Sequence, residues 1–130
     1  MLVKDVMIPA GRLITISPMA KVRDALILMR EKRVKSIVVE KGHDSDAYGL
    51  ITFKNILYSI VASDGDIDLL RVYDICSKPA YQLSGNLDIK YAAQMMVQSS
   101  VKRLLVIDNN QLEGILTMTD ILGVVMENLE

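Results

Sequence analysis

Residues 101–106 read Val-Lys-Arg-Leu-Leu-Val, and residues 114–120 read Gly-Ile-Leu-Thr-Met-Thr-Asp. A similar order of residue types occurs earlier in the chain, where residues 34–39 read Val-Lys-Ser-Ile-Val-Val and residues 49–52 read Gly-Leu-Ile-Thr. The glycines at positions 49 and 114 lie 65 residues apart, since 114 − 49 = 65. Self-similarity at a nearly fixed offset indicates an internal repeat. The sequence therefore predicts two structurally equivalent halves.

Each half contains two stretches with the periodicity of an amphipathic helix. Apolar residues that recur at i, i+3, i+4 and i+7 lie on one face of a helix and predict that this face packs on a core. The upstream stretches are Val22, Ala25, Leu26, Met29 and Ile89, Ala92, Ala93, Met96, and the downstream ones are Ile56, Leu57, Ile60, Val61 and Ile121, Leu122, Val125, Met126.

Short runs rich in β-branched residues or leucine lie between these helices and predict buried strands. They cover residues 37–39, 50–51, 104–107 and 115–116, and a further β-like stretch at 13–16 or 80–83 precedes each first helix. Each half is thus predicted as β-α-β-β-α. The fold class is α/β (α+β), with repeat 1 at residues 1–62, a linker at 63–70 and repeat 2 at 71–130, packed as one compact module.

The composition excludes several classes of function. The chain has 130 residues with 15 basic and 16 acidic side chains, so it lacks the broad positive charge of proteins that bind nucleic acid or anionic membranes. No apolar run approaches the ~20 residues that span a bilayer. The one cysteine, Cys76, cannot form an internal disulfide, and the N-terminus lacks the apolar core of a signal peptide. We therefore expect a cytoplasmic protein without nucleic-acid or membrane partners.

A hydroxyl follows each predicted last strand, and an amide or acid comes three residues later. The pairs are Thr52 with Asn55 and Thr117 with Asp120. Free N–H groups and the helix dipole favour anions at a helix N-terminus, and a carboxylate can accept hydrogen bonds from both hydroxyls of a ribose. The same spacing is also that of a helix capping box. Both interpretations of these pairs remain open.

Cations occur at the start of the preceding strand in both halves, as Lys35 in the first and Lys102-Arg103 in the second. Pseudo-symmetry directs them toward the cleft where the halves meet, and cations there can bind phosphates. The alternative interpretation is a solvated strand edge.

On these residues, the two halves resemble CBS motifs, and the whole chain resembles a tandem CBS pair, or Bateman module, a type that regulates many enzymes, channels and transporters. The resemblance rests on residues 101–106 and 114–120, with a looser first copy at 34–39 and 49–55. It implies a non-catalytic sensor that binds an adenosine nucleotide in the cleft between its repeats and requires no cofactor. It also implies a homodimer formed through the helices, and an effector protein as partner.

The resemblance also implies which residues bind the ligand. Asp120 would hold the ribose hydroxyls, with Thr117 and Ile115 beside it. The ligand would be AMP, ADP or ATP, and S-adenosylmethionine shares the same adenosine core. Basic residues favour the phosphates, because like charges repel a sulfonium in a partly desolvated cleft. The remaining implied contacts are Ile8, Gly11, Val34 and Lys35 around the adenine, and Lys102 and Arg103 at the phosphates.

The first copy departs from the family pattern at Asn55, which offers a single acceptor oxygen in place of a carboxylate. We therefore predict that a second, mirror site binds more weakly or stays empty, giving one nucleotide per chain. Its residues would be Leu50, Thr52, Asn55, Ile75, Cys76 and Tyr81.

Other candidate chemistry carries less weight. Residues 43–46 read His-Asp-Ser-Asp, but adjacent residues do not converge as a hydrolytic triad, and one loop lacks the spacing of a metal site. We assign no metal. We interpret Cys76 as a small buried hydrophobe. Without a phosphate loop or an activated nucleophile, no enzyme is predicted. The alternative function is a ligand-free dimeric protein-interaction module.

Overall fold

The computed structural model describes residues 1–129; Glu130, the last residue of the predicted second repeat, lies outside them. The helices are α1 (Val3–Val6), α2 (Val22–Lys32), α3 (Phe53–Ile56), α4 (Val72–Ile75), α5 (Ile89–Ser99) and α6 (Met118–Glu127). The strands are β1 (Ile8–Pro9), β2 (Thr15–Ile16), β3 (Ser36–Val39), β4 (Gly49–Thr52), β5 (Gln82–Leu83), β6 (Arg103–Asp108) and β7 (Gln111–Thr117). A 3-10 turn (Ala10–Arg12) follows β1, and a π-helical segment (Leu57–Ala62) continues α3.

These elements form two compact units. Unit 1 consists of Met1–Leu13 and residues 81–129, and unit 2 consists of Ile14–Ala80. The mixed α+β class and the duplication of elements are as predicted. The predicted repeat boundaries follow the sequence duplication and stay a prediction, whereas the compact units divide after Leu13 and after Ala80.

Unit 1 is built on a four-stranded sheet in the order β1-β7-β6-β5. Strand β5 runs parallel to β6, while β6 and β7, and β7 and β1, are antiparallel. Successive residues of a strand point to opposite faces, so Leu104 and Val106 face the core while Leu105 faces away from it. The buried core of unit 1 consists of Val3, Leu83, Ala92, Met96, Leu104, Val106 and Leu116.

Unit 2 repeats this plan with a three-stranded sheet in the order β2-β3-β4. Strand β2 is parallel to β3, and β3 is antiparallel to β4, as for β5, β6 and β7 in unit 1. The predicted helical stripe of α2 is confirmed, since Val22, Ala25 and Met29 are buried. The buried core of unit 2 consists of Ile16, Ala25, Met29, Ile37, Val39, Ile51, Ile56 and Val72.

The short helices α1 and α4 complete the two cores and were not predicted. Val3 of α1 belongs to the core of unit 1, and Val72 of α4 belongs to the core of unit 2, both with no exposed surface. Helix α1 begins predicted repeat 1 but belongs to unit 1, and α4 begins predicted repeat 2 but belongs to unit 2. Each unit therefore contains residues from both predicted repeats.

Three sequence expectations need correction. The β-like stretches at 13–16 and 80–83 shrink to the two-residue strands β2 and β5, and Lys35 and Lys102 lie just before their strands instead of opening them. The helix predicted through Ile56 to Val61 is α-helical only as far as Ile56 and then π-helical.

Of the helices formed within residues 1–129, none has the length and apolar character needed to cross a bilayer.

Candidate functional site

The junction between β7 and α6 carries the Thr-x-x-Asp pair in unit 1. Thr117 is the N-cap of α6, and its Oγ1 accepts a hydrogen bond from the Asp120 N–H at 3.1 Å. In return Asp120 Oδ2 accepts one from the Thr117 N–H at 3.0 Å. The capping box weighed from the sequence is therefore present. Among residues 1–129 no group donates to the second carboxylate oxygen, Oδ1, so half of the Asp120 carboxylate stays available to a ligand.

Two cations border this junction. Arg103 is the first residue of β6, is half-buried, and lies in register with Thr117 across the ladder. Lys102 is exposed, and its carbonyl accepts a hydrogen bond from the Met118 N–H at 2.9 Å, which fixes it beside the first turn of α6. Neither forms an ion pair with a carboxylate among the described residues. Unit 1 thus places two cations, neither paired with an acidic side chain of residues 1–129, next to a helix N-terminus, where anions are favoured.

Apolar side chains continue from this junction along the sheet face that points away from the core of unit 1, where Leu105 and Ile115 are buried. Ile115 of β7 lies in register with Leu105 of β6 and with Ile8 of β1, and directly opposed residues share a face. A Cβ on Gly114 would lie 2.4 Å from the Ile8 carbonyl oxygen. Glycine at position 114 is therefore what allows β1 to approach β7 this closely.

The structure brings most of the predicted ligand-binding residues into unit 1. Gly11 lies in the exposed 3-10 turn after β1, with open space around it. Val34 and Lys35 instead belong to unit 2, where Val34 packs against the core and the Lys35 carbonyl accepts a hydrogen bond from the Phe53 N–H at 3.1 Å. Their ligand contacts stay a prediction. The predicted residues that unit 1 contains are Ile8, Gly11, Lys102, Arg103, Ile115, Thr117 and Asp120.

The equivalent junction in unit 2 lies between β4 and α3. Thr52 Oγ1 accepts from the Asn55 N–H at 3.3 Å, and Asn55 Oδ1 accepts from the Thr52 N–H at 2.9 Å. The Thr52 hydroxyl also donates to Asn55 Oδ1 at 3.1 Å, so the amide oxygen is fully engaged. The amide nitrogen donates to Ser77 Oγ at 3.4 Å. Every polar atom of the Asn55 side chain therefore has a partner within unit 2.

The other residues of the predicted second site divide between the units. Leu50 of β4 and the half-buried Ile75 and Cys76 belong to unit 2, where Ile75 and Cys76 pack against the core. Burial raises the pKa of the Cys76 thiol, which supports its interpretation as a buried thiol. Tyr81 belongs to unit 1, where its carbonyl accepts a hydrogen bond from the Leu105 N–H at 2.9 Å. Occupancy of this second site stays a prediction.

Sequence reasoning missed two serines of unit 2. Ser77 of unit 2 occupies the position of Ile8 in unit 1, because Ser77 pairs with Leu50 and Ile8 pairs with the equivalent Ile115. Ser36 occupies the position of Arg103, because these two pair with the capping residues Thr52 and Thr117. An alignment of the two copies would have found both serines, because they stand where the other copy has the cation Arg103 and the apolar Ile8.

The loop at residues 40–48 holds the candidate triad residues and is anchored by Asp46. The Asp46 carboxylate accepts hydrogen bonds from Lys78 Nζ and from the backbone N–H groups of Gly42 and Ala47. The Lys78 ammonium, followed by these N–H groups, holds the pKa of Asp46 well below its usual range. His43 is exposed, and no three His, Cys, Asp or Glu side chains within residues 1–129 are placed to hold a metal ion.

Comparison with known proteins gives consistent results. The CBS domain model matches residues 3–62 and 72–127. An uncharacterized protein of Methanopyrus kandleri is 31% identical over 112 residues, which cover 85% of this chain and 57% of that protein. This chain therefore spans little more than half the length of that relative.

Solved structures match over nearly all of the chain. A hexameric CBS-CP12 protein from bloom-forming cyanobacteria is 32% identical, with a TM-score of 0.86 over 100% of this chain and 76% of that one. A CBSX2 protein in complex with AMP has a TM-score of 0.81 and 23% identity over 97% of this chain and 96% of that one, which shows a shared fold. With two family matches in series on two equivalent sets of elements, the chain belongs to the CBS domain family, as a tandem CBS pair.

Proposed function

We propose that the chain is a non-catalytic sensor that binds one adenosine nucleotide, AMP, ADP or ATP, at the β7–α6 junction of unit 1. The observation that carries the proposal is the Asp120 carboxylate, which uses Oδ2 to cap α6 and keeps Oδ1 without a partner among the described residues. No side-chain oxygen or nitrogen of the described residues is both buried and unpaired, so Oδ1 is accessible from solvent and can accept a hydrogen bond from a ligand.

A ribose supplies such a donor. One ribose hydroxyl can donate to Asp120 Oδ1, while the Thr117 hydroxyl, which accepts from the Asp120 N–H, still has its own proton to donate. Hydrogen bonds that a hydroxyl donates to a carboxylate are short and roughly twice as strong as those between neutral groups. The pair therefore suits a ligand with hydroxyl groups beside an anionic portion.

The anionic portion of the ligand is the phosphate group. Arg103 and Lys102 have no ion-pair partner among the described residues, and both lie at the N-terminal end of α6. A sulfonium ligand such as S-adenosylmethionine would be repelled by these cations, whereas phosphates would be bound by them. The partly exposed Ile8, in register with Ile115, supplies an apolar side chain against which an adenine ring can pack.

The test is isothermal titration of AMP, ADP, ATP and S-adenosylmethionine into the wild type and Asp120→Ala. We expect saturable binding of one phosphate-bearing nucleotide per chain, at least ten-fold weaker in the variant. Thermal unfolding gives a second measurement, because a ligand at 100 times its dissociation constant adds ~2.7 kcal/mol of stability.

A matched control is Asp24→Ala. The Asp24 carboxylate accepts from the Lys21 N–H at the start of α2, as Asp120 does at α6, so this variant removes a similar cap and should leave binding unchanged. Absence of binding by folded, nucleotide-free wild type would contradict the proposal and favour the ligand-free interaction module. Unchanged binding by Asp120→Ala would place the nucleotide elsewhere.

We further propose that the chain self-associates as a homodimer through α6 of unit 1 and through α3 with its π-helical continuation in unit 2. Four apolar side chains on α6 are at least two-fifths exposed, and so are four on α3 and the π-helical segment after it. Exposed apolar surface of this extent marks interaction sites. A related protein of this fold is hexameric, which supports self-association. The residues are Met118, Leu122, Val125 and Met126 on α6, and Phe53, Leu57, Tyr58 and Val61 in unit 2.

Light scattering after size exclusion tests this second proposal. The wild type should have the mass of two chains, and Leu122→Asp should shift it toward one chain, because a charge would be buried without a partner at the interface. The exposed Val97→Asp on α5 is the control and should leave the mass unchanged. A wild type that is monomeric at all concentrations would contradict the proposal.

A further inference from the structure

Ser77 is held in a fixed position beside the β4–α3 junction of unit 2. The Leu50 N–H donates to the Ser77 carbonyl at 2.9 Å, and the Ser77 N–H donates to the Leu50 carbonyl at 2.9 Å. Two such bonds define a hydrogen-bonded antiparallel pair, whose side chains share one face of the sheet. The Ser77 hydroxyl therefore lies on the same face as Leu50, next to the capping box of α3.

This hydroxyl meets the side chain that replaces the carboxylate of unit 1. Asn55 Oδ1 already accepts two hydrogen bonds from Thr52, at 2.9 and 3.1 Å. The remaining polar group of the side chain, Nδ2, donates to Ser77 Oγ at 3.4 Å. In unit 1 the residue in the register position of Ser77 is Ile8, which has no hydroxyl to offer Asp120.

We infer that Asn55 and Ser77 close the unit 2 junction to nucleotides, because the Ser77 hydroxyl takes the hydrogen-bonding place that a ribose hydroxyl would take at Asp120. Ser77 is then the residue that decides specificity between the two junctions. This inference rests on the proposed function of the unit 1 junction, and it goes beyond a merely weaker second site by naming the group that occupies it.

The charge at the two junctions agrees with this assignment. At the register position of Arg103, unit 2 has Ser36, so no cation stands on its sheet face beside Thr52. The nearby Lys78 ammonium is bound by the Asp46 carboxylate. The exposed Lys35 remains beside α3, so an opened junction would keep one cation for a phosphate.

The experiment compares two variants in an Asp120→Ala background, which removes the unit 1 junction from the measurement. The first carries Asn55→Asp alone, and the second carries Asn55→Asp with Ser77→Ala, each titrated with AMP and with ATP. In the first variant the Ser77 hydroxyl can still donate to the new carboxylate. In the second it cannot, so we expect the dissociation constant to be at least ten-fold lower.

Equal affinity in the two variants, or no binding by either, would overturn the inference. Circular dichroism and thermal unfolding of each variant show that the chain is folded, and the Ser77→Ala change keeps both backbone bonds to Leu50. Titration of the wild type is read separately. If the wild type binds no nucleotide, the proposed function of unit 1 fails, whereas the comparison of the two unit 2 variants still shows whether Ser77 closes that junction.

Discussion

At the β7–α6 junction of unit 1 a carboxylate follows the capping threonine, whereas at the β4–α3 junction of unit 2 a carboxamide follows it. Both side chains form the same capping box with their threonine. They differ in the second polar atom, which has no partner among the described residues for Asp120 and contacts Ser77 for Asn55. The two junctions thus share the contacts that begin each helix and differ in what the second polar atom meets.

The connections between the two antiparallel strands that lead into these junctions also differ, in length. Asn109 and Asn110 connect β6 and β7 with φ of 51° and 64°, the left-handed pair that a two-residue hairpin of the I′ type requires. In unit 2 the corresponding connection is the longer loop at 40–48, anchored by Asp46 and Lys78. The four residue pairs next to each junction have the same register in both sheets, and the register of β6 and β7 shifts only beyond Val106. The loop length therefore differs without moving the capping residues.

Buried positions and polar positions have therefore diverged to different extents. The cores use apolar residues of similar volume at equivalent positions, because packing penalises both cavities and overpacking. On the opposite face of each sheet, Arg103 is matched by Ser36 and Ile8 by Ser77, a change of chemistry that the fold tolerates. Function is expected where the polar groups of one unit stay unpaired.

The largest difference between the units should be in the loss of folding stability when alanine replaces Gly114 or Gly49, the glycine before each junction. A Cβ on Gly114 would lie 2.4 Å from the Ile8 carbonyl oxygen and 2.8 Å from Met7 Sδ, so backbone must move. A Cβ on Gly49 would lie 3.0 Å from the Ser77 carbonyl oxygen, which needs a shift of a few tenths of an ångström. We expect Gly114→Ala to lower the free energy of unfolding by about 3 kcal/mol and Gly49→Ala by about 1 kcal/mol.

Urea unfolding monitored by circular dichroism measures both values. Alanine at the exposed Gly11, where nothing lies within 4 Å, is the control and should change stability little. Since the displaced strand carries Ile8, Gly114→Ala should also weaken nucleotide binding, and Gly49→Ala should not. Equal losses of stability in the two glycine variants would contradict the difference in strand approach between the units.

Much of the fold could be predicted from the sequence, because the repeated elements carry strong local signals. The apolar stripes of α2 and α5 and the β-branched runs of the middle strands recur in both copies, and these elements are confirmed. The helices α1 and α4 could not be predicted, because a four-residue helix has too few residues to show a period. Val3 and Val72 are buried by residues distant in the sequence, so no local pattern in the sequence identifies them as core residues.

The candidate site was predictable where it depends on neighbours in sequence. The spacing of Thr117 and Asp120 is local, so the capping box and the candidate carboxylate were both found. The contact between Asn55 and Ser77 spans 22 residues and depends on the bridge between Leu50 and Ser77, which periodicity does not reveal. The pairing of Asp46 with Lys78 spans 32 residues and is non-local for the same reason.

The smallest expected effect is a difference in acid sensitivity between the two units. The pKa of Asp46 in unit 2 is lowered first by Lys78, and the pKa of Asp108 in unit 1 is lowered first by the Ser84 hydroxyl and then by the Gly85 N–H. A carboxyl whose pKa is lower in the folded chain than the usual ~3.9 contributes stability above that value. This contribution is lost as the pH falls below ~4 and through the folded pKa.

Asp46→Asn and Asp108→Asn measure these two contributions. At neutral pH each variant should be less stable than the wild type, by less than the loss in Gly114→Ala, and the difference should shrink as the pH falls below ~4. One hydrogen-bond donor to Asp46 is a charged ammonium, whereas both donors to Asp108 are neutral and the charge of Lys4 acts on it more weakly than either. At 1 M salt, where the Debye length is about 3 Å, the loss for Asp46→Asn should therefore fall while that for Asp108→Asn holds. Equal changes with salt in the unfolding curves of the two variants would contradict this expectation. Lys78 would then act on Asp46 as a hydrogen-bond donor alone, and its charge would not contribute to the difference between the units.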